Sequence, residues 1–157
     1  MAMLQKSSMT ETLVDIRVDA YVRLVRTADR IFNDVSRGLV EHGLTASQFS
    51  ALKVLCLRGP MPQKDVATNI LKSTGNVTMV IDNLEKEGLV ERTRGSQDRR
   101  IFEVAATQKG KDLFHEVYAP HLGRIRDAMG DLNQEECEQL IGLLERLGSV
   151  SPSPCLD

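Results

Sequence analysis

The sequence predicts a mainly α-helical fold in which a helix-turn-helix and one short β-hairpin sit between long helices. The first reason is an apolar seam at Val14, Val18, Tyr21, Val25, Ala28, Phe32, Val35 and Leu39, whose steps alternate four and three for about seven helical turns. The second is composition. Aromatic residues make up 4 % of the 157 and Trp is absent, too few for a β-sandwich and enough for helices packed through Leu, Val and Ile. The third is a local change of period, from helical to alternating, over Leu89–Arg94 and Arg100–Ala105, on either side of Gly95-Ser-Gln-Asp98.

Taken in order, the seam predicts a first helix that meets no Pro or Gly before Gly38 and is capped at His42-Gly43, with Leu24 and Ile31 widening its apolar stripe. Such a helix either scaffolds one subunit or is shared between two. Thr45-Ala-Ser-Gln48 is a capping box for a helix that turns Phe49, Leu52, Leu55 and Cys56 inward and stops at Gly59-Pro60. Pro62 suits the first position of a short helix through Val66, Ala67, Ile70 and Leu71. After Lys72-Ser-Thr-Gly75 a second amphipathic helix places Val77, Val80, Ile81 and Leu84 on one side and closes at Gly88, which completes a helix-turn-helix. The hairpin follows. Thr107 caps a long helix through Leu113, Phe114, Val117, Leu122, Ile125 and Met129, which Pro120 is expected to kink or split near Tyr118. Leu132-Asn-Gln-Glu-Glu136-Cys137 combines a capping box with a hydrophobic staple, and opens a last helix through Leu140, Ile141, Leu144 and Leu147. Residues 149–157 are expected to be a frayed tail, and the whole chain to form one domain.

Composition excludes several classes of function. Hydrophobic residues at 41 % and charged residues at 27 % support a buried core. No apolar run approaches the length of a membrane span, and the first residues lack the apolar segment of a secretory signal, so a cytoplasmic protein is expected. Cys56, Cys137 and Cys155 form neither a disulfide framework nor a metal spacing. His115-Glu116 lacks the second His of a zinc-protease helix, and neither a Gly-rich phosphate loop nor GxSxG occurs. With His42, His115 and His121 outside any ligand spacing, no enzyme, cofactor or metal is expected.

A helix-turn-helix followed directly by a two-stranded hairpin is a winged helix, whose second helix fits the major groove of DNA while the hairpin reaches the neighbouring backbone or minor groove. The net charge is −2, yet Lys53–Arg100 holds nine basic residues against six acidic ones, a local +3 of the sign that phosphate contact requires. A 100° step leaves Gly75, Asn76, Thr78, Met79, Asp82 and Lys86 around the outer face of the second helix. Its small, polar start at Ser73, Thr74, Gly75 and Asn76 allows close approach to phosphates and base edges, Asn76 having the amide that pairs with adenine. Candidate DNA contacts are Lys64, Lys72, Ser73, Thr74, Asn76, Thr78, Met79, Asn83, Arg94, Asp98, Arg99 and Arg100. A winged helix that docks a protein partner without reading DNA is the alternative, and it leaves the Arg-bearing hairpin without a purpose.

Val77-Thr-Met-Val-Ile-Asp-Asn-Leu-Glu-Lys-Glu-Gly-Leu-Val-Glu-Arg92, with Gly95-Ser-Gln-Asp-Arg-Arg100 and Ala106-Thr-Gln-Lys-Gly110, resembles the multiple-antibiotic-resistance regulator (MarR) family, over about residues 12–148. The resemblance implies a homodimeric DNA-binding regulator, usually a repressor, released from a pseudo-palindromic operator by a small, often phenolic ligand or by oxidation. It implies dimerisation helices at about 12–42 and 107–148 around a winged helix-turn-helix at about 45–105. It also implies that Asp98 braces Arg100, while Arg94, Arg99 and Arg100 are the candidates for the minor groove. Many members have Arg or Lys where this chain has Met79, which cannot pair with guanine, so apolar contact with a thymine methyl and an A·T-leaning site are expected. Gly75-Asn-Val-Thr-Met-Val-Ile-Asp-Asn83 resembles the branch that responds to quinones and catechols. The peroxide-sensing branch uses a Cys near the start of the first helix, and this chain has none before Cys56. Cys137, in the first turn of a helix, is either a reactive thiol or simply the staple partner of Leu132. In this family a phenolic ligand binds between the dimer scaffold and the DNA-binding lobe, for which Tyr21, Phe32, His42, Phe49, His115 and Tyr118 supply rings.

Overall fold

The computed structural model describes residues 15–70, 77–94 and 102–148. Helix α1 (Ile16–Val40) starts at Asp15, whose carboxylate accepts from the Arg17 amide at 2.9 Å. It ends in a Schellman turn. Gly43 adopts φ +72°, its N–H donates to Val40, and the Leu44 N–H reaches back to Leu39, which brings two buried leucines together. Only the last part of the predicted seam is buried, at Val35 and Leu39, while Val18, Tyr21, Val25 and Phe32 are exposed.

Helix α2 (Ala46–Arg58) begins at the predicted capping box, Gln48 N–H to Thr45 Oγ1 at 3.2 Å and Thr45 N–H to Gln48 Oε1 at 2.8 Å. It buries Ala51 and Val54 besides Phe49, Leu52 and Leu55, because it lies at the centre with α1, the short helices, the sheet and α5 packed around it. Cys56 packs against this core without being fully enclosed.

The sheet corrects the predicted two-stranded hairpin. Met61–Pro62 forms a strand, β1, paired antiparallel with β3 (Phe102–Ala106), which also pairs with β2 (Val90–Arg94), in the order β1-β3-β2. A two-residue strand has no alternation to detect, and Pro62 is tolerated because β1 is an edge. Pro62 thus precedes helix α3 (Gln63–Asn69) as its N-cap, one residue earlier than predicted. Leu71, which the sequence placed in this helix, lies outside the described residues, as do Val14, Lys72–Asn76, Gly95–Ile101 and Cys155.

Helix α4 (Val77–Lys86) buries Ile81 and Leu84 and half-buries Val77 and Val80, the predicted face. Gly88, at φ +69°, repeats the Schellman geometry, with Gly88 N–H on Glu85 and Leu89 N–H on Leu84. Helix α5 (Gln108–Ala128) is joined directly to that turn. Thr107 Oγ1 caps the Gly110 amide and donates to Gly88 O at 2.7 Å, and the Thr107 N–H donates to Leu89 O at 3.1 Å. Of the kink or split expected near Tyr118, the split does not occur: helix α5 runs unbroken through Pro120, since one lost hydrogen bond is outweighed by the packing of Phe114 and Val117 in the core. Helix α6 (Gln134–Leu147) opens with the Asn133–Glu136 capping box and has no buried residue within the described chain.

Gly110 sits where any Cβ would run into the Leu89 carbonyl oxygen, a backbone atom that cannot swing aside. Gly110→Ala is expected to cost about 1–3 kcal/mol as overpacking, read as a lower urea midpoint at unchanged m-value. An unaltered midpoint would mean that this contact is slack.

Candidate nucleic-acid interface

Thr78, Met79, Asp82, Asn83 and Lys86 are exposed on α4, as the helical step predicts. Lys64 is exposed on the first turn of α3. On the wing, Arg94 faces Phe102 across the β2–β3 register, its guanidinium 6.0 Å from the ring centroid, and Phe102 is itself exposed. This stacking orients Arg94 without neutralising it. Lys72, Ser73, Thr74 and Asn76, and the wing residues Asp98, Arg99 and Arg100, lie outside the described residues.

Arg92 is engaged within the fold. Its guanidinium, largely covered, bonds both Asp82 and Glu85 of α4 and donates to Gln63 Oε1 at 3.3 Å, while its backbone N–H donates to Glu85 at 3.2 Å. Gln63 also donates from Nε2 to Thr78 Oγ1 at 2.9 Å. Arg92 therefore braces the wing root against the exposed helix instead of meeting phosphate. Arg58 donates to Asn69 Oδ1 at 2.7 Å and ties α2 to α3. Sequence reasoning missed Gln63, Glu85 and the bracing role of Arg92, because these partners are far apart in sequence and no periodicity relates them.

The aromatic candidates separate into two groups. Phe49 is buried, 6.3 Å from Phe114 and 4.5 Å from His121 between ring centroids, and Phe114 also touches His115 at 5.5 Å and Tyr118 at 4.8 Å. Tyr21 and Phe32 lie on the exposed part of α1. Between α1 and α5, a cleft of about 40 Å³ is lined by Gly38, Glu41, His42, Pro120, His121 and Arg124 among others, room for a few water molecules. There His42 Nδ1 lies 3.4 Å from Glu116, and Arg124 lies 3.4 Å from Glu41.

His121, which sequence reasoning noted only for metal spacing, is the informative residue of the cleft. Its Nδ1 is the buried side-chain polar atom left without a hydrogen-bond partner among the described residues. Burial, with the charges of Lys53 and Arg124 added, holds its pKa below the ordinary 6.5. The Cys56 thiol is pushed up to about 11 by burial, against the pull of Lys111, and stays protonated at neutral pH. Cys137 is half-buried in the first turn of α6. No cluster of three metal-binding side chains occurs among the described residues, and none of the described helices is long and apolar enough to cross a membrane.

Because the folded chain holds His121 neutral below the pH at which the unfolded chain protonates it, its stabilising contribution is complete above about pH 6.5. That contribution is lost as the pH falls below this value. Thermal melts at pH 7.5 and 5.5 should show wild type losing more stability on acidification than His121→Phe; equal losses would remove His121 from this role.

Comparison with known proteins agrees with this geometry. Residues 44–102 match the MarR family. The chain is 35 % identical over 135 residues to the HTH-type transcriptional regulator YkoM of Bacillus subtilis, covering 83 % of this chain and 88 % of that protein. It is 29 % identical to the HTH-type transcriptional regulator MhqR of the same organism, over 82 % of this chain and 88 % of that one. Among solved structures it is similar to BpsR of Bordetella bronchiseptica, with TM-score 0.71 and 26 % identity over 82 % of this chain and 91 % of that one. A winged helix with an exposed α4, an Arg-bearing wing and relatives of this extent places the chain in the MarR family of DNA-binding transcriptional regulators.

Proposed function

We propose that the chain is a homodimeric repressor that reads a pseudo-palindromic duplex with α4 and the wing and is released by a small aromatic ligand. The observation that carries the DNA reading is the exposed polar face of α4, held by the Arg92 brace next to wing strand β2, which ends in Arg94. Thr78, Met79 and Asn83 face base edges, with Met79 against a thymine methyl, while Lys64 and Arg94 meet phosphate or the minor groove. Lys72, Ser73, Thr74, Asn76, Asp98, Arg99 and Arg100 complete the contact set in this reading.

Dimerisation is supported by what α1 and α6 leave uncovered. Val18, Val22 and Val25 on α1, and Ile141, Leu144 and Leu147 on α6, form apolar faces that the other described residues leave exposed. Apolar surface of that extent is stabilised by a second copy of the same helices. The full chain then works as one unit, with residues 12–42 and 107–148 as the dimer scaffold.

For the effector, the α1–α5 cleft supplies His42, His121 and Arg124 beside the Phe49 ring, a set suited to an aromatic ring with a phenolate or carboxylate. BpsR, 26 % identical, is a relative whose DNA binding is regulated by 6-hydroxynicotinic acid. Admitting a ring requires Arg124, which presses on Gly38, to swing away. Thiol modification at Cys137 is the other route of release, and Cys137→Ser separates the two.

The test is fluorescence anisotropy of a duplex from the protein's own upstream region against a random duplex, at several salt concentrations and with added catechol or quinone. Affinity should fall steeply with salt, and Arg94→Ala should reduce the log–log slope by about 0.9 on both duplexes. Asn76→Ala should instead relax the preference between duplexes; equal losses on both would refute its base contact. Sedimentation should give twice the 17.5 kDa chain mass. Ile141→Asp with Leu144→Asp should give a monomer, and a variant that stays dimeric would move the interface elsewhere.

A further inference from the structure

The bridge between Gln63 and Thr78 has a polarity that the donor and acceptor inventory fixes. The Arg92 guanidinium only donates, so the Gln63 group facing it at 3.3 Å is Oε1. The other end of the same amide, Nε2, therefore faces Thr78 at 2.9 Å, and an amide nitrogen only donates. Thr78 Oγ1 is thus the acceptor of that bond, and its own hydrogen is turned away from Gln63. The guanidinium is itself anchored by Asp82 and Glu85, so the amide is not free to flip. Thr78 is exposed on α4, whereas Gln63 is half-buried at the start of α3.

We infer that Gln63 is a specificity-determining positioning residue, one that never touches DNA and sets Thr78 as a hydrogen-bond donor to a base edge. The inference rests on the reading of α4 as the helix that faces the major groove. Left to itself a threonine hydroxyl rotates and serves donors and acceptors alike. With one lone pair occupied and polarised by the chain Asp82/Glu85–Arg92–Gln63, it favours acceptors, namely thymine O4, guanine O6 or N7, or adenine N7. Cytosine, which presents only its amino group in the major groove, is disfavoured on the contacted strand.

Selection of bound duplexes from a randomised pool, with the full-length protein, reads this directly. Wild type should disfavour cytosine at one position per half-site by about fivefold to tenfold, the worth of one hydrogen bond. Gln63→Glu keeps an acceptor for Arg92 but accepts the Thr78 proton, so the preference at that position should turn toward cytosine or adenine while the other positions keep theirs. Gln63→Met, of similar length and without a donor or acceptor, guards against a folding defect from the added charge and should flatten that position alone. Thr78→Val should flatten it too. If Thr78→Val changes one position and both Gln63 variants leave it unchanged, the inference falls and the DNA-reading role of α4 stands. If Thr78→Val changes no position, Thr78 does not face a base, and that part of the functional reading falls with the inference.

Discussion

The close approach of α5 to the turn after α4 is the constraint on which the placement of α4 and the wing depends. Leu89 occupies the centre of it. Its N–H closes the Schellman turn on Leu84, its carbonyl accepts the Thr107 amide, and its side chain is buried in the core. Gly110 lets the first turn of α5 lie against that carbonyl, and Thr107 bonds Gly88 O from the other side. The end of α4, the start of β2 and the start of α5 are therefore fixed by one knot of backbone. Neither the tilt of α4 nor the direction of the wing can change without breaking bonds within it.

Electrostatics around the head serve geometry before affinity. Two of the basic side chains in this segment are engaged within the fold, Arg92 by two carboxylates of α4 and Arg58 by the neutral amide of Asn69. In water an exposed ion pair contributes little. Here the pairing joins three elements through a largely covered guanidinium, so its main effect is to hold the helix at a fixed distance from the wing root. On the proposed function, phosphate attraction falls to cations with no carboxylate partner among the described residues, of which Arg94, stacked on Phe102, is the best placed.

Much of the fold was legible in the sequence because its signals are local. Thr45 with Gln48, Asn133 with Glu136, Thr107 before α5, and the glycines at 43 and 88 each act within one turn, and each occurs where its spacing predicted. What escaped was set by distance or by packing. Strand β1 exists only because Met61 meets Val104, some forty residues away. Pro120 signalled a break that tertiary packing overrides. Nothing local marks Gln63, whose partners Thr78 and Arg92 lie 15 and 29 residues away. The chemistry of the exposed face was written in α4 itself, but the residue that orients it was not.

The α1–α5 cleft and the proposed DNA-reading head share one helix, α5. His121 and Arg124 lie on the same unbroken helix whose first turn is locked to Leu89 and Gly88, about 20 Å away at 1.5 Å per residue. Had Pro120 split α5, a disturbance at the cleft would have been absorbed at the break. Because it does not, a tilt forced at His121 reaches the knot at Thr107, where the packed junction either holds or gives way. On the proposed function, a ligand in the cleft would weaken DNA binding only by the difference in its affinity for two settings of that helix. The unpaired Nδ1 of His121 supplies such a difference, since it gains a hydrogen bond only in the setting that admits a donor.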